Sequence, residues 1–408
     1  MPVFDLDVDA ISFPLLGNSL IIGVFSLLHI AFAALAVGFM ILAPLLETAD
    51  RLNPFYEQIS RSLTRFTVIT YSVSTVLAVF MVELSIGLFP VTTMWIWNQF
   101  RWPILVAIAA FLMQLAALYP YYHYWDVLRQ HNRRTHILLG FSAALFILIW
   151  VAVLDGMGST MLTPDTDGPI WGRLLNPTWI PLIIHRFFGN LVLAGFVMAA
   201  YAGWRLSKSG GAEDDLYYLH FLRIGTLIGV VALILQPMTG FLYAVQIEQT
   251  APRAYAQLTD GPYQPLLYLQ FGLVGGLFVG GFILLRSMLD TPPAPTRGLL
   301  TALILSALVT IFFASDPPVR RPVTLLLAGL MVWSLYQWRA AVSRIPTEVN
   351  RPMVCRMALS MAAAALLMYW TMGTIRETAR RPDTVRGVIS LQDEARTPAA
   401  DRLSKSED

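Results

Sequence analysis

The sequence predicts an all-α fold, a polytopic transmembrane helix bundle of about nine to ten spans. Three observations lead there. The 408 residues are 56% hydrophobic and only 13% charged, against about 25% charge in a water-soluble domain. The mean hydropathy is +0.61, more apolar surface than one soluble core buries. The apolar residues also fall into discrete runs of the length that crosses hydrocarbon, roughly 17–25 residues as helix.

Ten such runs follow one another, at about 14–46, 66–90, 102–125, 136–155, 180–205, 219–246, 264–288, 298–314, 322–340 and 353–375. The first and sixth are long enough to extend past the bilayer, and the eighth is the shortest. Lipid cannot satisfy a free backbone, so these runs are helices or barrel strands, and their length excludes strands. Short loops between them set the orientation. Arg51, Arg61 and Arg65 lie in loop 47–65, and Arg129, Arg133 and Arg134 in loop 126–135, whereas the alternate loops 91–101, 156–179 and 247–263 are poor in basic residues. Odd-numbered loops are therefore expected on the cytoplasmic side, with the N-terminus outside. The outer clusters Arg320–Arg321 and Arg376–Arg380–Arg381 break this pattern, and each calls for a local anionic partner such as a cofactor propionate. The segment MPVFDLDVDA is acidic and lacks the basic n-region of a signal peptide. Residues 1–382 read as one membrane domain, and the polar, aperiodic stretch 383–408 as a tail expected to be disordered or draped on a partner.

The composition narrows the chemistry. A net charge of +2 without a basic tract gives no footprint for nucleic acid. One cysteine, Cys355, excludes an internal disulfide, a CxxCH haem attachment and a cysteine-ligated iron–sulfur cluster. Metal ligands must come from six His, 16 Met and the carboxylates.

Ionisable side chains inside spanning helices cost about 2.5–3.5 kcal/mol on insertion scales, which makes each a functional candidate. His29 lies inside the first run, Glu83 in the second, His185 at the start of the fifth, and Glu377 at the end of the tenth. His29 and His185 read either as imidazoles hydrogen-bonded to a neighbouring helix or as ligands or relay groups. Glu83 reads as a protonated structural acid or as a proton-relay member. His123, His131, His136 and His220 read as wet interfacial or loop residues beside an aromatic belt. A set of His and carboxylates without cysteine, in an aromatic-rich bundle, suits b-type haem iron, which needs one or two axial ligands, better than zinc, which wants three or four converging ones.

These residues resemble subunit I of the cytochrome bd-type terminal oxidases. In the first run His29 stands where a family histidine ligates a haem of the oxygen-reducing pair, and VELSIG puts Glu83 on a haem-pocket carboxylate. PLIIHRFFGNLVLAGFVMAAYAGWRL, residues 181–206, is the closest match, with His185 on the ligand of the low-spin haem b. Glu377-x-x-Arg380-x-Pro382 has the spacing of the family's Glu-x-Gly-Arg-Gln-Pro, which makes Glu377 a haem-iron carboxylate and Arg380 a cofactor contact. Asp316 in ASDPPVRRP is the alternative to Glu377: distance along the chain favours Asp316, while residue identity and spacing favour Glu377.

The departures are specific. The third run, WPILVAIAAFLMQLAALYP, has none of the family's two acids, and Gln114 is the nearest polar substitute. The stretch IEQTAPRAYAQLTDGPYQ is far shorter than the family's quinol loop and has Gln257 at the position of its Glu. Leu273 stands where the family has a methionine ligand, so Met238 in LQPMTGF is the candidate sulfur. The family has nine spans, one fewer than the runs counted here. The resemblance implies haem b, two or three haems in all, with haem d as an alternative occupant, in a bacterial inner membrane beside other membrane subunits. Glu83 and Glu377 would be the catalytic carboxylates. With the quinol loop degraded, the donor would be a cytochrome c or a haem-bearing partner. Two alternatives stay open: a haem b electron-transfer subunit without oxygen reduction, and a haem-poor structural paralogue.

Overall fold

The computed structural model describes residues 11, 17–160, 162, 169–290, 296–342 and 349–380, with Val342 and residues 377–380 described in backbone only. The stretch 383–408, expected to be a tail, lies outside them. Twelve helices and no strand form among the described residues: α1 (Asn18–Thr48), α2 (Phe55–Leu88), α3 (Pro90–His123), α4 (Trp125–Thr160), α5 (Ile170–Leu174), α6 (Trp179–Lys208), α7 (Ala212–Thr250), α8 (Pro252–Asp260), α9 (Gln264–Ser287), α10 (Thr296–Phe312), α11 (Pro317–Val342) and α12 (Arg351–Arg380).

Among the described residues, each of the ten apolar runs has a helix over most of its length. Eight helices, α1–α4, α6, α7, α9 and α12, are long and apolar enough to cross a membrane. The apolar part of α10 has only 17 residues. In α11, Arg320, Arg321, Gln337 and Arg339 dilute the apolar run. The chain is a multi-pass membrane protein. Helix α2 begins eleven residues before its apolar run, because hydropathy reports the bilayer boundary whereas backbone hydrogen bonding continues into water; ahead of the α4 run, residues 125–131 form a helical segment set off by non-helical backbone at Asn132. There the extra turns are held by ion pairs, Arg61 with Asp126 at 2.7 Å and Arg129 with Glu57 at 2.7 Å.

Helices α1–α4 pack around one another, and α6, α7, α9 and α12 form a second group with α10 and α11 outside it. The two groups meet where α1 and α4 touch α6 and where α1 touches α12. Close approach at this seam, and between α6 and α7 within the second group, depends on small residues, since packing rather than a hydrophobic driving force associates helices in lipid. A Cβ on Gly38 of α1 would fall 2.8 Å from the Asn190 carbonyl oxygen of α6. A Cβ on Gly195 of α6 would fall 2.4 Å from the Gly229 amide nitrogen of α7. The helices that carry His29 and His185 are thereby fixed against their neighbours.

Candidate haem site

His185 lies one and a half turns into α6, half-buried against α7. Its Nδ1 is 3.4 Å from Thr239 Oγ1, and its Nε2 is 3.3 Å from Gln236 Nε2. Tyr243 stacks beyond, ring centroids 6.3 Å apart. Gln236, Thr239, Gly240 and Tyr243 recur at helical spacing, so they share one face of α7. Gly240 leaves room for the ring, since a Cβ there would meet His185 Cε1 at 3.0 Å. The Arg376 guanidinium of α12 lies over Tyr243 at 5.5 Å and within electrostatic range of His185.

Several polar atoms around this imidazole have no hydrogen-bond partner among the described residues: Gln236 Oε1, the Tyr243 hydroxyl and Arg376 Nε. A buried polar atom without a partner costs about 1–3 kcal/mol. Three of them beside one histidine and one glycine match a polar-edged group that binds an imidazole and offers anionic oxygens. Haem, with its propionates, has that chemistry, and the residues present fit it.

His29 lies inside α1 against α2. Its Nδ1 is 2.9 Å from the Ser74 carbonyl oxygen and 3.3 Å from Ser74 Oγ. With Nδ1 donating to that carbonyl, Nε2 is the nitrogen left to accept or ligate. Arg186, next to His185, lies within electrostatic range of both imidazoles and pairs with the buried Asp155 of α4. Tyr369 of α12 donates to Asn190 Oδ1 at 2.8 Å, and its hydroxyl sits where a Cβ on Gly189 would reach 3.0 Å. The two histidines thus border one polar seam between α1, α4, α6, α7 and α12. Among the described residues no three His, Cys, Asp or Glu side chains converge on one point, a donor arrangement suited to a centre with one or two protein ligands.

The other sequence candidates are placed as follows. Met238 is 52% exposed, on the face of α7 turned away from Gln236 and Gly240, and does not join His185. Glu83 is exposed on α2, in line with the outward-facing Val76 and Phe80, and meets neither histidine. Asp316 opens α11, which packs on α7, α9 and α10; it lies in the electrostatic neighbourhood of Arg320, away from His29. Glu377 and Arg380 belong to the last turns of α12, and their side chains lie outside the described ones. One turn earlier, Gly373 packs on Leu27 of α1, and Trp370 Nε1 donates to the Leu27 carbonyl at 3.0 Å. Arg320 and Arg321 do have local partners: Arg321 bonds Glu248 at 2.6 Å and the Tyr255 hydroxyl at 3.0 Å, and Arg320 lies over the Phe271 ring and bonds the Ala314 carbonyl.

His136, expected to be wet, is fully buried. Its Nδ1 is 2.7 Å from Glu47 Oε1 and its Nε2 is 3.0 Å from the Tyr121 carbonyl. Glu47, also fully buried, accepts from the Tyr121 hydroxyl at 3.0 Å. The sequence held a partial signal: Arg133 and His136 stand three apart on one helix face, as do the acids Glu47 and Asp50, while Arg129 lies beyond the break at Asn132. His123, by contrast, is exposed as expected.

Comparison with known proteins places this arrangement. The structure of the bd oxidase from Geobacillus thermodenitrificans matches with a TM-score of 0.56 at 15% identity, covering 89% of this chain and 98% of that one. At that identity the match shows the fold alone. No curated protein matches. The family model for cytochrome bd terminal oxidase subunit I matches residues 20–262, which contain His29, Glu83 and His185. That match spans more than half of the chain, and the chain belongs to the cytochrome bd terminal oxidase subunit I family.

Proposed function

We propose that this chain is the haem-binding subunit of a bd-like oxidoreductase of the bacterial inner membrane, reducing oxygen with electrons from a cytochrome c or a haem-bearing partner subunit. The observation that carries the reading is His185, an imidazole facing a glycine and ringed by polar atoms without partners. Family membership supports haem as the cofactor class and other membrane subunits as companions.

His185 would hold haem b, and His29, with Glu377 or Asp316 as the carboxylate, a second haem. Arg376 would pair with a propionate. Bound haem supplies the iron at which electrons are passed on and oxygen binds. The overall reaction is O2 + 4 e− + 4 H+ → 2 H2O. The chain's own residues do the rest. Thr239 at Nδ1 would orient the His185 ring and leave Nε2, now facing Gln236, as the ligating nitrogen; Ser74 fixes the His29 tautomer, and the Arg186–Asp155 pair holds charge between the two. Residues 1–382 would form the membrane unit and 383–408 a tail.

A second reading, electron transfer through haem b without oxygen reduction, is favoured by one observation: residues 102–119 of α3 contain no ionisable carboxylate. The haem content and reduced-minus-oxidised spectrum of the purified protein decide. Carbon monoxide binding to the reduced protein supports the oxygen-reducing reading, a six-coordinate haem b spectrum alone supports the second, and absence of haem refutes both. His185→Ala is expected to remove the low-spin haem b signal; an unchanged spectrum refutes that assignment.

A further inference from the structure

A buried polar route runs from the end of the bundle with the basic loops up to Ser74 and His29, and short of those two it uses none of the residues assigned above. It starts at Glu47, His136 and Tyr121. Both Glu47 and His136 are 0% exposed, and Arg129 connects them to the rim, bonding Asp50 at 2.8 Å and Glu57 at 2.7 Å while standing 3.7 Å from Glu47. Arg133 adds bonds to the Glu47 carbonyl and to Asp50. Burying an ionised group is expensive unless it is paired, and a scaffold needs no such group here.

From this cluster a row of hydroxyls climbs one face of α2: Ser60, Thr64, Thr67, Thr70 and Ser74, all at most 9% exposed. The Tyr121 hydroxyl reaches Ser60 and Thr64 as well as Glu47. At the far end Ser74 Oγ is 3.3 Å from His29 Nδ1. From Ser60 to Ser74 the row rises 14 residue steps, about 21 Å at 1.5 Å per residue. Ser60 donates to the Ala43 carbonyl across the α1–α2 seam, and Thr64, Thr67 and Thr70 donate to carbonyls one turn back. Each oxygen thus keeps its lone pairs. Neighbouring positions on a helix face lie about 5–6 Å apart, too far for a direct bond and right for one bridging water. Packing alone would account for small polar residues between α1 and α2. It does not account for a row that joins a buried Glu–His–Tyr cluster at one end and an imidazole at the other.

We infer that the α2 hydroxyl row is a proton path, entered at Glu47–His136–Tyr121 and delivering to the His29 pocket. This rests on the proposal that His29 holds a redox centre. Each step breaks one O–H bond and makes another. One proton enters at Glu47 and one leaves at Ser74, with no change in the row after the hydroxyls turn back.

The test uses the full complex with its native subunits. Cryo-electron microscopy that shows ordered water is expected to find waters bridging Tyr121 to Ser74; a dry α1–α2 seam overturns the path. Thr67→Val removes a mid-row hydroxyl at nearly constant shape. With an artificial donor it is expected to slow oxygen consumption about tenfold or more, a barrier rise of about 1.4 kcal/mol. The haem spectrum should be unchanged, and Thr67→Ser should restore the rate. Glu47→Gln is expected to act in the same direction. Full turnover in Thr67→Val with full haem overturns the path. If the wild-type complex takes up electrons without consuming oxygen, the oxygen-reducing reading falls. The path is then judged by proton uptake on haem reduction, followed with a pH dye: slowed uptake in Thr67→Val supports it, and equal uptake overturns it.

Discussion

Gly195→Ala tests how the site is held. A Cβ at Gly195 would lie 2.4 Å from Gly229 N, 2.7 Å from Gly229 Cα and 2.8 Å from the Gly225 carbonyl oxygen. These are backbone atoms of a continuous helix, and none can swing aside. Reaching an ordinary contact of 3.4 Å means parting α6 and α7 by about 1 Å, a gap that forfeits roughly a quarter to a half of each contact's dispersion well. Overpacking of this kind costs about 1–3 kcal/mol, and the upper end is expected because packing is the main force between helices in lipid. Unfolding by SDS titration in mixed micelles reads the loss. Gly276→Ala is the control: nothing lies within 4 Å of its Cβ, and helix propensity should leave it neutral or stabilised by up to about 1 kcal/mol. Equal stability of the two variants would refute the close-approach argument. The same parting should disturb His185, whose ring rides on α6 while Gln236 and Thr239 ride on α7.

Two further outcomes follow from buried charge. Glu47→Leu and His136→Phe should each destabilise by about 3–5 kcal/mol because each strands its partner, and the double variant should recover part of that; additive losses in the same titration would contradict the pairing. Arg376→Gln should lower the midpoint potential of the haem proposed at His185, since removing a nearby cation favours the oxidised form, by roughly 60 mV for each 1.4 kcal/mol. An unchanged potential in a redox titration would place Arg376 away from that haem.

Much of the fold was legible because hydropathy alone assigns residues to lipid or water. Among the described residues all ten apolar runs are mainly helical, and the α-helical class follows from backbone satisfaction. Parts of the site were legible too: Gln236, Thr239, Gly240 and Tyr243 share one helical face, and the same periodicity turns Met238 away, a test that depth along the helix could not supply. The early start of α2 and the break at Asn132 in α4 were not legible from hydropathy, which falls silent at the bilayer surface. The fate of His136, read as a loop residue, was only partly legible: its spacing from Arg133 marks one helix face, but its buried partner Glu47 lies 89 residues away.

By itself, then, the sequence determined the solvent, the class and which segments cross it. It also singled out His29 and His185, because an imidazole in an apolar run is conspicuous in one dimension. Only the tertiary structure decided which polar groups meet. Glu47 and His136 are separated by 89 residues, His29 and Ser74 by 45, and His185 and Gln236 by 51. Such pairs depend on how each helix is rotated and where it crosses its neighbour. Those angles are set by the small residues at the seams, Gly38 on Asn190 and Gly195 on Gly229. Composition assigns a helix to the membrane without stating the direction its polar face points.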